Sequence, residues 1–207
     1  GAEYSRTNMM LRASSTFGKD DRWSVDAKVQ YILSDAKNRP ISGQSTNNYF
    51  YTMYTMPISM DITEFKQTKN PEDGKMYWWV KGSGLNPYWA ADYNTNQDVR
   101  NRFLLNGSLK YRFTDWLNAE IKAGSDIYFT ETESKLYSGS HNSPTGRYGI
   151  GEQKFYENNF SFLVTAQKDR FLGDFGGVFT FGGNMMERKS TGVSGSVGEL
   201  TVPDLFW

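Results

Sequence analysis

The chain has 207 residues, 23 basic and 23 acidic side chains, no cysteine and a single histidine. Balanced charge argues against a nucleic-acid partner, and the lack of cysteine excludes a disulfide framework and a thiolate metal site. One histidine leaves little for histidine-based metal or proton-transfer chemistry, and no run approaches the roughly 18 apolar residues of a spanning helix.

Residues 4–17 alternate, with Thr7, Met9, Leu11 and Ala13 against Arg6, Asn8, Arg12 and Ser14. After the polar turn Gly18, Lys19, Asp20, Asp21, a second strand is expected over 22–34. There Trp23, Val25, Ala27, Val29, Tyr31 and Leu33 face one way, and Ser24, Asp26, Lys28 and Gln30 the other. Period two over such lengths means a sheet with one apolar and one ionic face. From 35 to 97 the period disappears among Pro, Gly and Asn, although Tyr49 to Met56 has room for a helical turn or two.

The alternation returns over 99–113, with Phe103, Leu105, Leu109 and Tyr111 opposing Arg100, Arg102, Lys110 and Arg112. A tight turn at Thr114, Asp115 and Trp116 leads into 117–130, where Ile121, Ile127 and Phe129 oppose Glu120, Lys122 and Asp126. A polar loop is expected over 131–153. Strands follow over 154–168 (Phe160 and Phe162 against Asn159 and Ser161) and 175–188, where glycines 176, 177, 182 and 183 suggest a bulge or kink. Residues 189–207 read as a tail without period.

The reading is therefore all-β: one antiparallel meander of about six long strands across 1–207, with short turns at one end and long loops at the other. Soluble strands usually run about 5 to 6 residues, whereas these alternate past the roughly 9 to 11 that cross a bilayer as a tilted strand. Long outer loops and short periplasmic turns belong to membrane barrels, and single-chain bacterial barrels have 8 or more strands. The chain thus reads as part of a larger wall, with Phe103, Leu105, Leu109, Ile121, Ile127, Phe160 and Phe162 meeting outer-membrane lipid.

Candidate binding residues cluster in the longest loop: Trp78, Trp79, Asn86, Tyr88 and Trp89, with Tyr77 and Asp92 nearby. Aromatic faces beside amides suit sugar rings, but the same rings serve equally to pack a loop against itself or to form an interfacial belt. The packing role is the commoner use. Arg100, Arg102, Lys110, Arg112, Glu120, Lys122 and Asp126 would line a lumen, where their mixed signs favour cross-strand ion pairs over steering of a charged substrate. His141 reads as a solvated loop residue. No catalytic constellation, metal site or cofactor motif is found, so the chain is read as no enzyme.

Asn86-Pro87-Tyr88-Trp89, Arg100-Asn101-Arg102 and Asn106-Gly107-Ser108-Leu109-Lys110-Tyr111-Arg112-Phe113-Thr114-Asp115-Trp116-Leu117 resemble the barrel region of SusC/RagA-type TonB-dependent transporters of Bacteroidetes. Asn38-Arg39-Pro40, Glu157-Asn158-Asn159-Phe160, the run Gly182 to Lys189 and Val202-Pro203-Asp204-Leu205 extend that resemblance over nearly the whole chain. It implies a middle section of a 22-stranded outer-membrane barrel that imports oligosaccharides or peptides. The implied partners are a SusD-like lipoprotein lid and the TonB complex. The competing reading is a soluble all-β carbohydrate-binding module that holds glycan with its aromatic loop.

Overall fold

The computed structural model describes residues 2–39, 43, 48–173 and 175–206, without the side chains of Phe171 and Leu172. Pro40 of the Asn38-Arg39-Pro40 motif therefore lies outside the described residues. Six antiparallel strands form one meander, each paired with the next: β1 (Glu3–Phe17), β2 (Trp23–Lys37), β3 (Asn94–Arg112), β4 (Leu117–Leu136), β5 (Arg147–Leu172) and β6 (Phe175–Val197). The sheet does not close on itself; β1 and β6 are not neighbours.

Three short turns share one end. The first contains a 3-10 turn at Lys19–Asp21, with Asp20 and Asp21 at positive φ, and the second is closed by Phe113 and Thr114 N–H groups donating to the Leu117 carbonyl. The long connections 38–93 and 137–146, and the residues after β6, lie at the other end.

The strands stand where the alternation places them, and several run beyond it. β4 continues to Leu136 and β5 begins at Arg147, so most of the loop expected over 131–153 is paired strand. β6 likewise carries 189–197 into the sheet. Past Thr130 both faces of β4 are polar, so no alternation marks a ladder built from backbone groups. The register break lies between the Lys168–Gly177 and Leu172–Phe175 pairs, with Arg170 at positive φ, so Gly176 and Gly177 face it while Gly182 and Gly183 stay in register. Gly182 has another cause: a Cβ there would stand 2.6 Å from the Phe162 carbonyl oxygen.

Neither face of the sheet is covered. The chain exposes 14376 Å², whereas a compact monomer of 23.7 kDa would expose roughly 9,800 Å². Ile32 and Ala36 are the buried apolar residues of the sheet, and Phe65, Trp78, Leu85, Trp89 and Ala90 are buried in the long connection. Ile121, Phe160 and Phe162 are 44%, 44% and 40% exposed. They belong to no closed core.

The apolar side has an internal geometry that the register makes plain. On that side the apolar stretch ends outward at Glu3 on β1, Asp35 on β2, Glu131 on β4, Lys154 on β5 and Glu187 on β6, with Asp35 and Glu131 on one rung. Glu187 pairs with Asn158, and the same rung runs through Ser125 and Leu105 to Val29, so the edge has dropped from Asp35 to the level of Val29. That drop is about 20 Å along the strands and falls between β4 and β6.

The inner edge drops on β6 but is interrupted on β5, where Lys168 lies on the apolar side opposite Gly177. Trp23 shares a rung with Phe181, yet β6 continues to Phe175. The outer edge of the apolar band is therefore oblique, level from β2 to β4 and falling from β4 to β6. Aromatic rows mark its margins: Phe17, Trp23, Tyr111 and Phe113 are in successive contact at the turn end, and Tyr31 meets Phe103 near the other, where its hydroxyl donates to Asn101 Oδ1 at 2.6 Å.

Candidate functional site

Two surfaces carry chemistry, the polar side of the sheet and the canopy of connections at its outer end. On the polar side, Arg102 donates twice to Asp126 at 2.8 and 2.6 Å, and Arg12 meets Asp26 at 2.9 Å. Lys122 pairs with Glu120 at 3.2 Å. Arg100 donates to Thr130 and lies 4.8 Å from the centre of the Tyr128 ring, which stacks on Phe155 at 4.6 Å. Opposite charges, brought together across strands and along β4, largely satisfy one another on this side.

The canopy is built around α2 (Pro87–Tyr93). Asn86 is its N-cap and Pro87 occupies the first turn, where a missing N–H costs nothing. The Asn86 amide is fully used: Oδ1 accepts from Tyr88 and Trp89 N–H groups, and Nδ2 donates to the Phe65 and Tyr77 carbonyls, each at 2.9 Å. One wholly buried side chain thereby ties α2 to the 3-10 turn Ile62–Lys66 and to the strand-like segment near Tyr77. Asn48 caps α1 (Tyr49–Thr55) in the same manner.

Trp89 lies fully buried beneath α2, close enough to Gly139 that a Cβ there would stand 3.1 Å from the indole. Lys69 sits over the Tyr93 ring at 4.6 Å. Tyr93 meets Tyr137, Tyr137 meets Phe206, and Asp204 accepts from the Ser138 N–H and hydroxyl at 2.6 and 2.9 Å. Both connections and the segment after β6 are thus one packed unit.

Of the five residues proposed from sequence to bind a ligand, Asn86 and Trp89 are wholly inside and Trp78 is nearly so. Tyr88 is half-buried, and Trp79 is 39% exposed. The structure therefore does not assemble them into one accessible surface; three of them hold the canopy together. His141 differs from the solvated residue expected: it is half-buried, its Nδ1 is buried without a partner, and burial lowers its pKa.

Below the canopy, Glu133 is held below the usual carboxylate range by hydrogen bonding to Lys135, opposed by burial and aided by the Tyr148 hydroxyl. Glu131 and Glu133 lie on strand β4, and among the described residues no three histidine or acidic side chains converge on a metal position. No helix among the described residues is long and apolar enough to cross a membrane, which leaves crossing by strands open. Compared with protein-family models and with curated proteins, the chain matches none.

Proposed function

We propose that this chain is a wall segment of an outer-membrane β-barrel importer, of the SusC/RagA TonB-dependent kind that its motifs resemble. The observation that carries the proposal is the oblique apolar band. Strands of membrane barrels tilt by about 35–45° and present an outward apolar belt about 25 Å tall between aromatic girdles. From Trp23 to Leu33 the band spans about 33 Å of strand, or about 23 Å once tilted near 45°.

In this reading the paired charges of Arg102, Asp126, Arg12 and Asp26 line the water-filled interior. The canopy stands outside the cell, where a SusD-like lipoprotein and an oligosaccharide or peptide substrate would approach. The TonB complex would supply energy from the opposite side. The segment contributes wall and loops and performs no chemical step.

The chain has no cysteine, so single cysteines report accessibility cleanly. With the protein in its native cell envelope, Ile121→Cys and Phe162→Cys should resist a water-soluble maleimide and react with a lipid-soluble one, while Glu131→Cys reacts with both. Equal reaction of all three with the water-soluble reagent would overturn the proposal.

A further inference from the structure

The turn 140–145 holds four buried side-chain polar atoms with no hydrogen-bond partner among the described residues: Ser140 Oγ, His141 Nδ1, Ser143 Oγ and Thr145 Oγ1. Two of these residues, Ser140 and His141, line a cavity of about 540 Å³, and the hairpin around the Lys69 and Met76 bridge supplies much of the remaining wall. Ser140 is only 3% exposed. A buried hydroxyl left unpaired costs roughly 1–3 kcal/mol, so one on a cavity wall asks for a polar group inside that cavity.

The other polar groups of the lining say which kind. Asn70 Oδ1 already accepts from the Glu72 N–H at 3.1 Å, and Asp73 Oδ1 from the Lys75 N–H at 3.0 Å. Asn70 Nδ2 has no partner among the described residues, and neither the Lys75 nor the Lys81 ammonium has an ion-pair partner among them. The free capacity is thus two ammoniums, one amide NH₂ and the Ser140 hydroxyl, against a single unused carboxylate oxygen, Asp73 Oδ2. Two positive charges stand against one negative. A lining with more free donors than acceptors, and with net positive charge, selects a negatively charged acceptor. Met76, Tyr77 and Trp78 add an apolar wall. The volume lies within the roughly 300–1,000 Å³ of small-molecule sites, which leaves room for an organic body behind the charged group.

We propose that this cleft binds a small organic anion, its phosphate or carboxylate oxygens on Lys75, Lys81, Asn70 and Ser140 and its apolar body against Met76, Tyr77 and Trp78. Asp73 tempers the affinity, because its charge opposes that of the ligand. The inference does not rest on the wall proposal, since a canopy on any support would carry the same cleft.

The test is calorimetric titration of the whole chain in nonionic detergent with phenyl phosphate, benzoate and benzyl alcohol. Saturable binding of phenyl phosphate or benzoate is expected, the tighter of the two naming the head group, while benzyl alcohol, a ring without the charge, should not bind. Lys75→Met and Lys81→Met should each weaken the anion about fivefold. Asp73→Asn keeps an Oδ1 acceptor for the Lys75 N–H but removes the opposing charge, and should tighten binding about threefold. All three positions are exposed, so these variants leave the canopy core intact. The single histidine gives a second reading: with the anion bound beside Asp73, Lys75 and Lys81, the His141 ring should titrate at higher pH than in the free protein, because added negative charge favours the imidazolium. No saturable binding of either anion, equal binding of benzyl alcohol, indifference to all three substitutions, or an unshifted His141 at saturation would overturn the proposal. Each of these failures leaves the cysteine-labelling result untouched.

Discussion

The sheet and the canopy solve the same problem in opposite ways. In the sheet, backbone ladders hold strands whose apolar side chains stay on the surface, and Ile32 and Ala36 are its buried apolar residues. In the canopy, short irregular segments with little regular hydrogen bonding are held by a small core of Trp89, Leu85, Trp78 and Phe65 and by the fully satisfied amide of Asn86. The canopy carries its own apolar interior, whereas the sheet leaves its apolar side open, and the proposed wall role assigns that side to lipid. The same kind of substitution should therefore have opposite costs in the two regions.

The largest contrast comes from removing apolar bulk. Trp89→Ala should destabilise the canopy by about 3–5 kcal/mol, read as loss of amide exchange protection in α2. Leu105→Ala, on the band, should cost under about 1 kcal/mol in lipid, where hydrocarbon chains replace the lost contacts. Equal costs would erase the distinction.

Adding charge reverses the order. Ile121→Arg near the middle of the band should cost about 2–4 kcal/mol of stability in lipid, measured by urea unfolding from vesicles. The same change at Glu131, beyond the band's edge, should fall within about 1 kcal/mol. A band that faced water would tolerate both alike.

How far the sequence discloses these two regions follows from the same physics. Alternation is visible only where one face meets an apolar medium, so β1 and β2 and the inner halves of the remaining strands could be read directly. Residues 131–136 and 147–153 could not, because Glu131, Glu133 and Lys135 on one face are matched by Thr132 and Ser134 on the other. In the canopy the aromatic cluster is conspicuous, but nothing local to Trp78 or Trp89 says which ring ends up inside. Asn86 followed by Pro87 is a helix cap and first-turn pair, a local signal that announces α2. The unpartnered turn at 140–145 has no sequence mark at all, since it arises only when Gly139 meets Trp89.

Smaller effects sharpen the canopy's side of the comparison. Asp204→Ala removes both bonds to Ser138 and should cost about 1–2 kcal/mol, seen as faster proteolysis after β6 with the sheet's exchange protection unchanged. The pH response should be smaller still. Burial lowers the His141 pKa, so the neutral imidazole is the form the fold favours, and stability from this group is present above about 6.5 and is lost as pH falls through the lower folded value. Canopy amides should lose protection as pH falls below about 6.5, and His141→Gln should flatten that slope. A slope that survives the substitution would assign it to another group.

The oblique band remains the feature on which the membrane reading stands, and one rung of the sheet isolates it. Val29, Leu105, Ser125, Asn158 and Glu187 are paired in sequence across β2 to β6. Spin labels placed singly at these positions in the membrane-embedded protein report depth through their exposure to oxygen and to a polar relaxant. Depth should increase steadily from Glu187, at the lipid headgroups, to Val29, within the hydrocarbon; equal depth along the rung, or water contact at every position, would contradict it.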